Sequence, residues 1–116
     1  MSPRLWHHRI ADILEAIDKI RRYVADMDFT DFERDDKTVE AVIRNFIIIG
    51  EAARQMQETI KDQRPSIPWQ LMGDMRNFAV HEYWGVELST IWETIQNDLP
   101  PLISWLSPLL PDRTGS

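Results

Sequence analysis

The chain predicts an all-α fold, an antiparallel bundle of four to five helices, on three observations. Apolar residues recur at helical spacing almost from end to end. Strand-like alternation of β-branched residues is absent. Only four glycines interrupt 116 residues.

The first helix is expected over about 3–27, with Pro3 suited to the first turn. Trp6, Ile10, Ile13, Ile17, Ile20, Val24 and Met27 step by four and three and make one apolar seam. The stretch 26–36 is acidic and turn-like, a loop with a short helical piece. A second helix is expected over about 37–62, buried through Val39, Val42, Ile43, Phe46, Ile49, Ala53, Met56 and Ile60. Gly50 falls in its middle, where glycine costs up to about 1 kcal/mol against alanine, so a neighbouring helix should approach closely there. Arg64-Pro65 breaks it. Ser66 is expected to cap a third helix with Pro68 in its first turn, carrying Trp69, Leu71, Met72, Met75, Phe78 and Ala79 and ending at Trp84-Gly85. A fourth starts between Val86 and Ser89 with Leu88, Ile91, Trp92, Ile95 and Leu99 inward. Pro100-Pro101 cannot sit inside a regular helix, so Asn97 or Asp98 should cap a new segment that carries Leu102, Leu106 and Leu109 and stops before Pro111.

The length suits one domain, taken as 1–110 with a flexible tail over 111–116. There is no cysteine, so disulfide frameworks, zinc–thiolate sites and cysteine nucleophiles are excluded. No apolar leader is visible at the N-terminus, and the longest apolar run is 46–49, far below a membrane span. A cytoplasmic protein is expected. The net charge of -6 argues against a nucleic-acid binder unless positive charge is gathered locally.

Chemistry concentrates in residues 76–83, Arg-Asn-Phe-Ala-Val-His-Glu-Tyr. Arg76 can grip a phosphate through parallel hydrogen bonds, and His81 titrates near neutral pH and can move protons. The pair is a minimal kit for cleaving a phosphodiester by attack of a ribose 2′-OH, with no metal ligand set in view. Five residues turn a helix by about 140° net, so the two side chains diverge within one regular helix. They converge only if the helix frays near His81 or a second subunit completes the site. The spacing alone is common, and Tyr83 and Trp84 suit plain helix-end packing equally well. His7 and His8 are adjacent and point to different faces. The Glu-x-x-His elements of di-metal bundles are missing.

The segment 44–53, Arg-Asn-Phe-Ile-Ile-Ile-Gly-Glu-Ala-Ala, followed by 74–83, Asp-Met-Arg-Asn-Phe-Ala-Val-His-Glu-Tyr, resembles the HepT-like toxins of the HEPN superfamily. Ile91-Trp-Glu-Thr-Ile95 and Asn97-Asp-Leu-Pro-Pro101 resemble it too, so the match runs over about 5–110. The resemblance implies a HEPN-type four- to five-helix bundle that forms a homodimer with a cleft on the two-fold axis. It implies metal-independent cleavage of cellular RNA (tRNA or mRNA), harmful to the cell when unrestrained, with Arg76 and His81 catalytic. Asn77 matches a polar position of the motif, and Glu51 is placed to orient a motif side chain or to be a plain surface carboxylate. The implied partner is a minimal nucleotidyltransferase antitoxin that transfers AMP to Tyr83, adding bulk and negative charge beside the phosphate site. No cofactor is implied. Arg44 and Arg54 would add positive charge near Arg76, or pair as surface residues with Glu40, Glu51 or Glu58. The alternatives are a non-catalytic HEPN module that binds nucleotides, and a helical dimerisation protein.

Overall fold

The structure is a computed structural model that describes residues 3–82 and 88–111, and the side chains of these except 3–5, 81 and 82. Among the described residues it is all-helical: α1 (Pro3–Tyr23), α2 (Phe29–Arg34), α3 (Asp36–Arg54), α4 (Glu58–Gln63), α5 (Trp69–Glu82), α6 (Leu88–Asn97) and α7 (Leu99–Leu106), then a 3-10 turn at Ser107–Leu109. The long helices α1, α3 and α5 form the expected bundle, with α3 in the middle, packed most extensively on α5 and α1. No described helix is long and apolar enough to cross a membrane.

The seam of α1 is buried as its spacing predicts. Ile10, Ile13, Ile17 and Ile20 are inaccessible to solvent, and Trp6 and Val24 nearly so. Burial of such side chains contributes about 1.5–3 kcal/mol each. The helix ends at Tyr23, four residues before the expected Met27. Asp26 takes a φ of 65°, the left-handed conformation that closes helices, and Met27 N–H donates back to the Val24 carbonyl. The acidic stretch does hold a short helix, α2, with Asp28 and Asp31 in a reciprocal capping box. Phe32 of that helix is fully buried, its ring 5.2 Å from Trp92 of α6. This core residue was not legible in the acidic context.

The helix expected over 37–62 is two helices. α3 stops at Arg54, Gln57 is extended at φ -61° and ψ 138°, and α4 begins at Glu58. Gln-Met-Gln has no intrinsic helix breaker. The break lets Met56 and Ile60 both enter the core, at 3% and 8% exposure. It leaves the Gln57 Nε2 buried with no partner among the described residues, a local penalty that core burial offsets.

Ser66 is not the cap of α5. The turn before α5 folds around buried Ile67, and the Pro68 carbonyl accepts from Met72 N–H, so Pro68 precedes the first turn. Trp69 Nε1 donates to the Arg64 carbonyl at 3.1 Å, and the Arg64 guanidinium lies 5.2 Å from the centre of the Trp6 ring. This cluster ties the start of α5 to α1. The expected end of α5 at Trp84-Gly85 lies outside the described residues, as does the tail from 112. Asp98 precedes α7, with prolines in its first turn as expected, and Leu99, Leu102 and Leu106 are buried.

Candidate active site on the α3–α5 seam

The site follows from one close approach. A Cβ built on Gly50 would stand 2.5 Å from Arg76 Cβ and 2.8 Å from Arg76 N. No side chain fits there, so α3 and α5 touch backbone to backbone at the motif arginine. This is the neighbour that a mid-helix glycine at position 50 anticipates.

The next residue on α3, Glu51, forms an ion pair with Arg76 through Oε1 and Nε. Glu51 thus lies beside a motif side chain, where the sequence left it open between orienting one and being a plain surface carboxylate. Both side chains stay substantially exposed, at 37% for Arg76 and 44% for Glu51. The pair is therefore worth little for stability, at most about 1 kcal/mol. Its consequence is geometric. A guanidinium has one N–H on Nε and four on its terminal nitrogens. Glu51 engages the Nε, and no other described acceptor engages the terminal pair. Among the described residues Arg76 is thus held by one edge, and the other, which has no described acceptor, is the edge that matches two phosphate oxygens.

One turn further on, Arg54 Nη2 donates to Asn77 Oδ1 at 3.0 Å. The Arg54 stem passes over Gly73, where an added Cβ would lie 3.5 Å from Arg54 Cγ. The expected surface pairs of Arg54 with Glu51 or Glu58 do not form: Glu51 is taken by Arg76, and Glu58 by Lys61 at 3.8 Å. This bond was missed from sequence. The available signal was a second mid-helix glycine, Gly73, lying among the same motif residues.

Arg44 is exposed on the outer face of α3, beside a shallow depression of about 360 Å³ lined by Glu40, Ile43, Arg44, Ile47 and Ile48. It stands seven residues before Glu51, about 10 Å along the axis, and is not brought to Arg76. His7 stacks on Trp6 with ring centres 3.8 Å apart, and His8 is exposed. The backbone at His81 belongs to α5, which continues through Glu82, while its side chain and all of Tyr83 lie outside what is described. Among the described residues no three His, Asp or Glu side chains gather as a metal-binding set.

The arrangement supplies a fixed, half-exposed guanidinium for an anion, a neighbouring amide and a second guanidinium. A family model described as "Ribonuclease HepT-like" matches residues 13–109. A protein of Thermococcus cleftensis that bears the name "Probable ribonuclease HepT" is 41% identical over 93 residues, covering 80% of this chain and 84% of its own length. A protein of Methanocaldococcus jannaschii with a provisional RNase name is 35% identical over 104 residues, covering 90% and 86%. No solved structure matches the chain. A match over this span and at these identities means that the chain belongs to the HepT-like ribonuclease family.

Proposed function

We propose that this HepT-like ribonuclease is a toxin that cleaves cellular RNA without a metal, at a site shared between two copies of the chain. The observation that carries this reading is the seating of Arg76: pressed against Gly50, held at its Nε by Glu51, with no described acceptor on its terminal nitrogens. A phosphodiester placed on that edge is oriented and its developing charge stabilised. His81 takes the proton from the 2′-OH as the 2′-oxygen bonds to phosphorus, or gives a proton to the departing 5′-oxygen. The products are a 2′,3′-cyclic phosphate and a 5′-hydroxyl.

Support for a second copy comes from α5. Because that helix continues through Glu82, positions 76 and 81 are turned about 140° apart around its axis. A two-fold partner brings one chain's arginine to the other's histidine. Ile47 and Ile48, half-buried on the outer face of α3 within a turn of Glu51, support that association, since a second copy would cover them.

Regulation falls to Tyr83. A nucleotidyltransferase antitoxin joins the tyrosine oxygen to the α-phosphorus of ATP and releases pyrophosphate. The added phosphate repels RNA from the adjoining site.

The experiment expresses wild type, Arg76→Ala and His81→Ala without a partner and follows growth and cellular RNA. Arrested growth and cut RNA are expected for wild type alone. Normal growth and intact RNA in all three overturn the reading. Incubation with a nucleotidyltransferase and ATP should add mass in AMP steps, lost in Tyr83→Phe. An increment that persists in that variant overturns the modification site.

A further inference from the structure

The reaction outlined above has no use for Arg54, yet the fold holds this residue in place. It is the last residue of α3, it is exposed, and its stem crosses the bare backbone at Gly73. Its partner is an amide of the motif, since Nη2 donates to Asn77 Oδ1. Four other basic residues sit on carboxylates: Lys19 on Glu15, Arg22 on Asp18, Lys61 on Glu58 and Arg76 on Glu51. Arg9 and Arg64 also bond amides, but those of Gln55 and Gln63, outside the motif. No described carboxylate lies within ion-pair distance of Arg54. Among the described residues its charge therefore has no carboxylate beside it, and of its five N–H donors those other than the one on Asn77 have no described acceptor.

The anchoring point has a register. At about 100° per residue, position 81 lies only about 40° around α5 from position 77, and about 6 Å further along it. Position 76 is about 140° away from position 81. A guanidinium anchored at Asn77 thus stands on the side of α5 that also carries position 81, within the same chain. In a protein of net charge -6, an arginine fixed there with no described carboxylate partner supplies local positive charge that the overall composition lacks.

We infer that Arg54 is a second phosphate-binding residue, clamped by Asn77, which grips the RNA backbone phosphate next to the one that is cut. The inference rests on the ribonuclease reading and deepens it. The motif asparagine becomes a positioning residue for Arg54, and the cradle at Gly73 becomes part of the substrate track. Two phosphates, one on each arginine, would fix the strand's direction across the α3–α5 seam.

The test uses the full chain carrying His81→Ala, so that RNA is bound and not cut. A fluorescein-labelled single-stranded RNA 12-mer is titrated at several salt concentrations, with and without Arg54→Ala. Removing one charged grip on a phosphate should weaken binding roughly tenfold at low salt. It should also reduce the slope of log affinity against log salt by about 0.7 for each phosphate no longer neutralised. Arg21→Ala, which removes an equal charge near the far end of α1, should leave the slope at the parent value. Arg54→Gln keeps a donor for Asn77 and removes the charge, so it should lose the slope as Arg54→Ala does. Asn77→Ala frees Arg54 but keeps its charge, so it should weaken binding less than either. With His81 intact, Arg54→Ala should raise the half-saturating RNA concentration more than it lowers the maximal rate.

Unchanged affinity and slope in Arg54→Ala and Arg54→Gln, with wild type still cutting RNA, overturn the role of Arg54 and leave the ribonuclease reading standing. A lower melting temperature with an unchanged slope overturns that role too, because Arg54 is then only a bolt between helices. Wild type that neither binds nor cuts the 12-mer overturns both.

Discussion

On its α1 side, α3 meets a row of branched side chains: Ile10, Ile13, Ile17 and Ile20 fill the space between the helices and exclude water. On its α5 side, the helices touch at Gly50 through backbone and Cβ atoms, and polar bonds flank the contact: Glu51 to Arg76 and Arg54 to Asn77. The first seam is cohesive. Its energy is spread over many dispersion contacts, and a small change of position costs little. The second is positional. It too buries apolar groups, Met72, Met75 and Ala79 of α5, but it adds groups held at fixed places by half-exposed, individually weak bonds. Packing alone makes the first seam, whereas the second also sets the geometry of the candidate site, and substitutions should separate the two.

The largest expected effect is on the cohesive seam. Ile17→Ala should lose about 2–5 kcal/mol, read by urea unfolding, with cleavage per folded molecule little changed. A comparable loss of activity per folded molecule would mean that the two seams are not independent. Gly50→Ala should lose about 1–3 kcal/mol by overpacking. In an open helix the same change would gain up to about 1 kcal/mol, so the sign itself reports the close approach. Its cleavage per folded molecule should fall sharply, because Arg76 must move. Gly73→Ala meets only ordinary van der Waals contact with Arg54, so it should gain up to about 1 kcal/mol. A loss there would show the seam to be as tight at 73 as at 50. Glu51→Gln should change stability by less than about 1 kcal/mol while lowering cleavage. Equal activity would remove Glu51 from the site.

The smallest effect lies at the start of α3 and depends on pH. The Asp35 carboxylate accepts from the Thr38 backbone N–H at 3.1 Å, which, with the Thr38 side chain, lowers its pKa. A lowered folded-state value means that this contribution is present above the unfolded pKa and is lost as pH falls through the folded one. Asp35→Ala should therefore be less stable than the parent at neutral pH, and the gap should close in acid. A gap that stays constant with pH would mean that the cap does not depend on charge.

Period and punctuation made much of the fold legible. The four-and-three spacing from Trp6 to Val24 marked the α1 seam, and Pro100-Pro101 marked the start of α7. The early end of α1 at Tyr23, the split of the second helix at Gln55–Gln57 and the burial of Phe32 were not legible. The first is closed locally, by the left-handed Asp26, and the other two are set by tertiary packing: Met56 and Ile60 turning into the core together, and Phe32 meeting Trp92 across about sixty positions. The site divides in the same way. Arg76, Asn77 and Glu51 could be named from their motif, whereas the Arg54–Asn77 bond joins helices 23 residues apart.

What the sequence by itself determined is therefore local: which faces are apolar, where glycine permits contact, and which residue types can handle a phosphate. Only the tertiary structure decided which edge of Arg76 Glu51 holds, and that Arg54 is anchored to the amide of Asn77. The physical reason is that periodicity encodes burial, which depends on a residue's own helix. The pairing of a guanidinium depends on the distance between two helices, and that distance is set where Gly50 lets α5 come to rest.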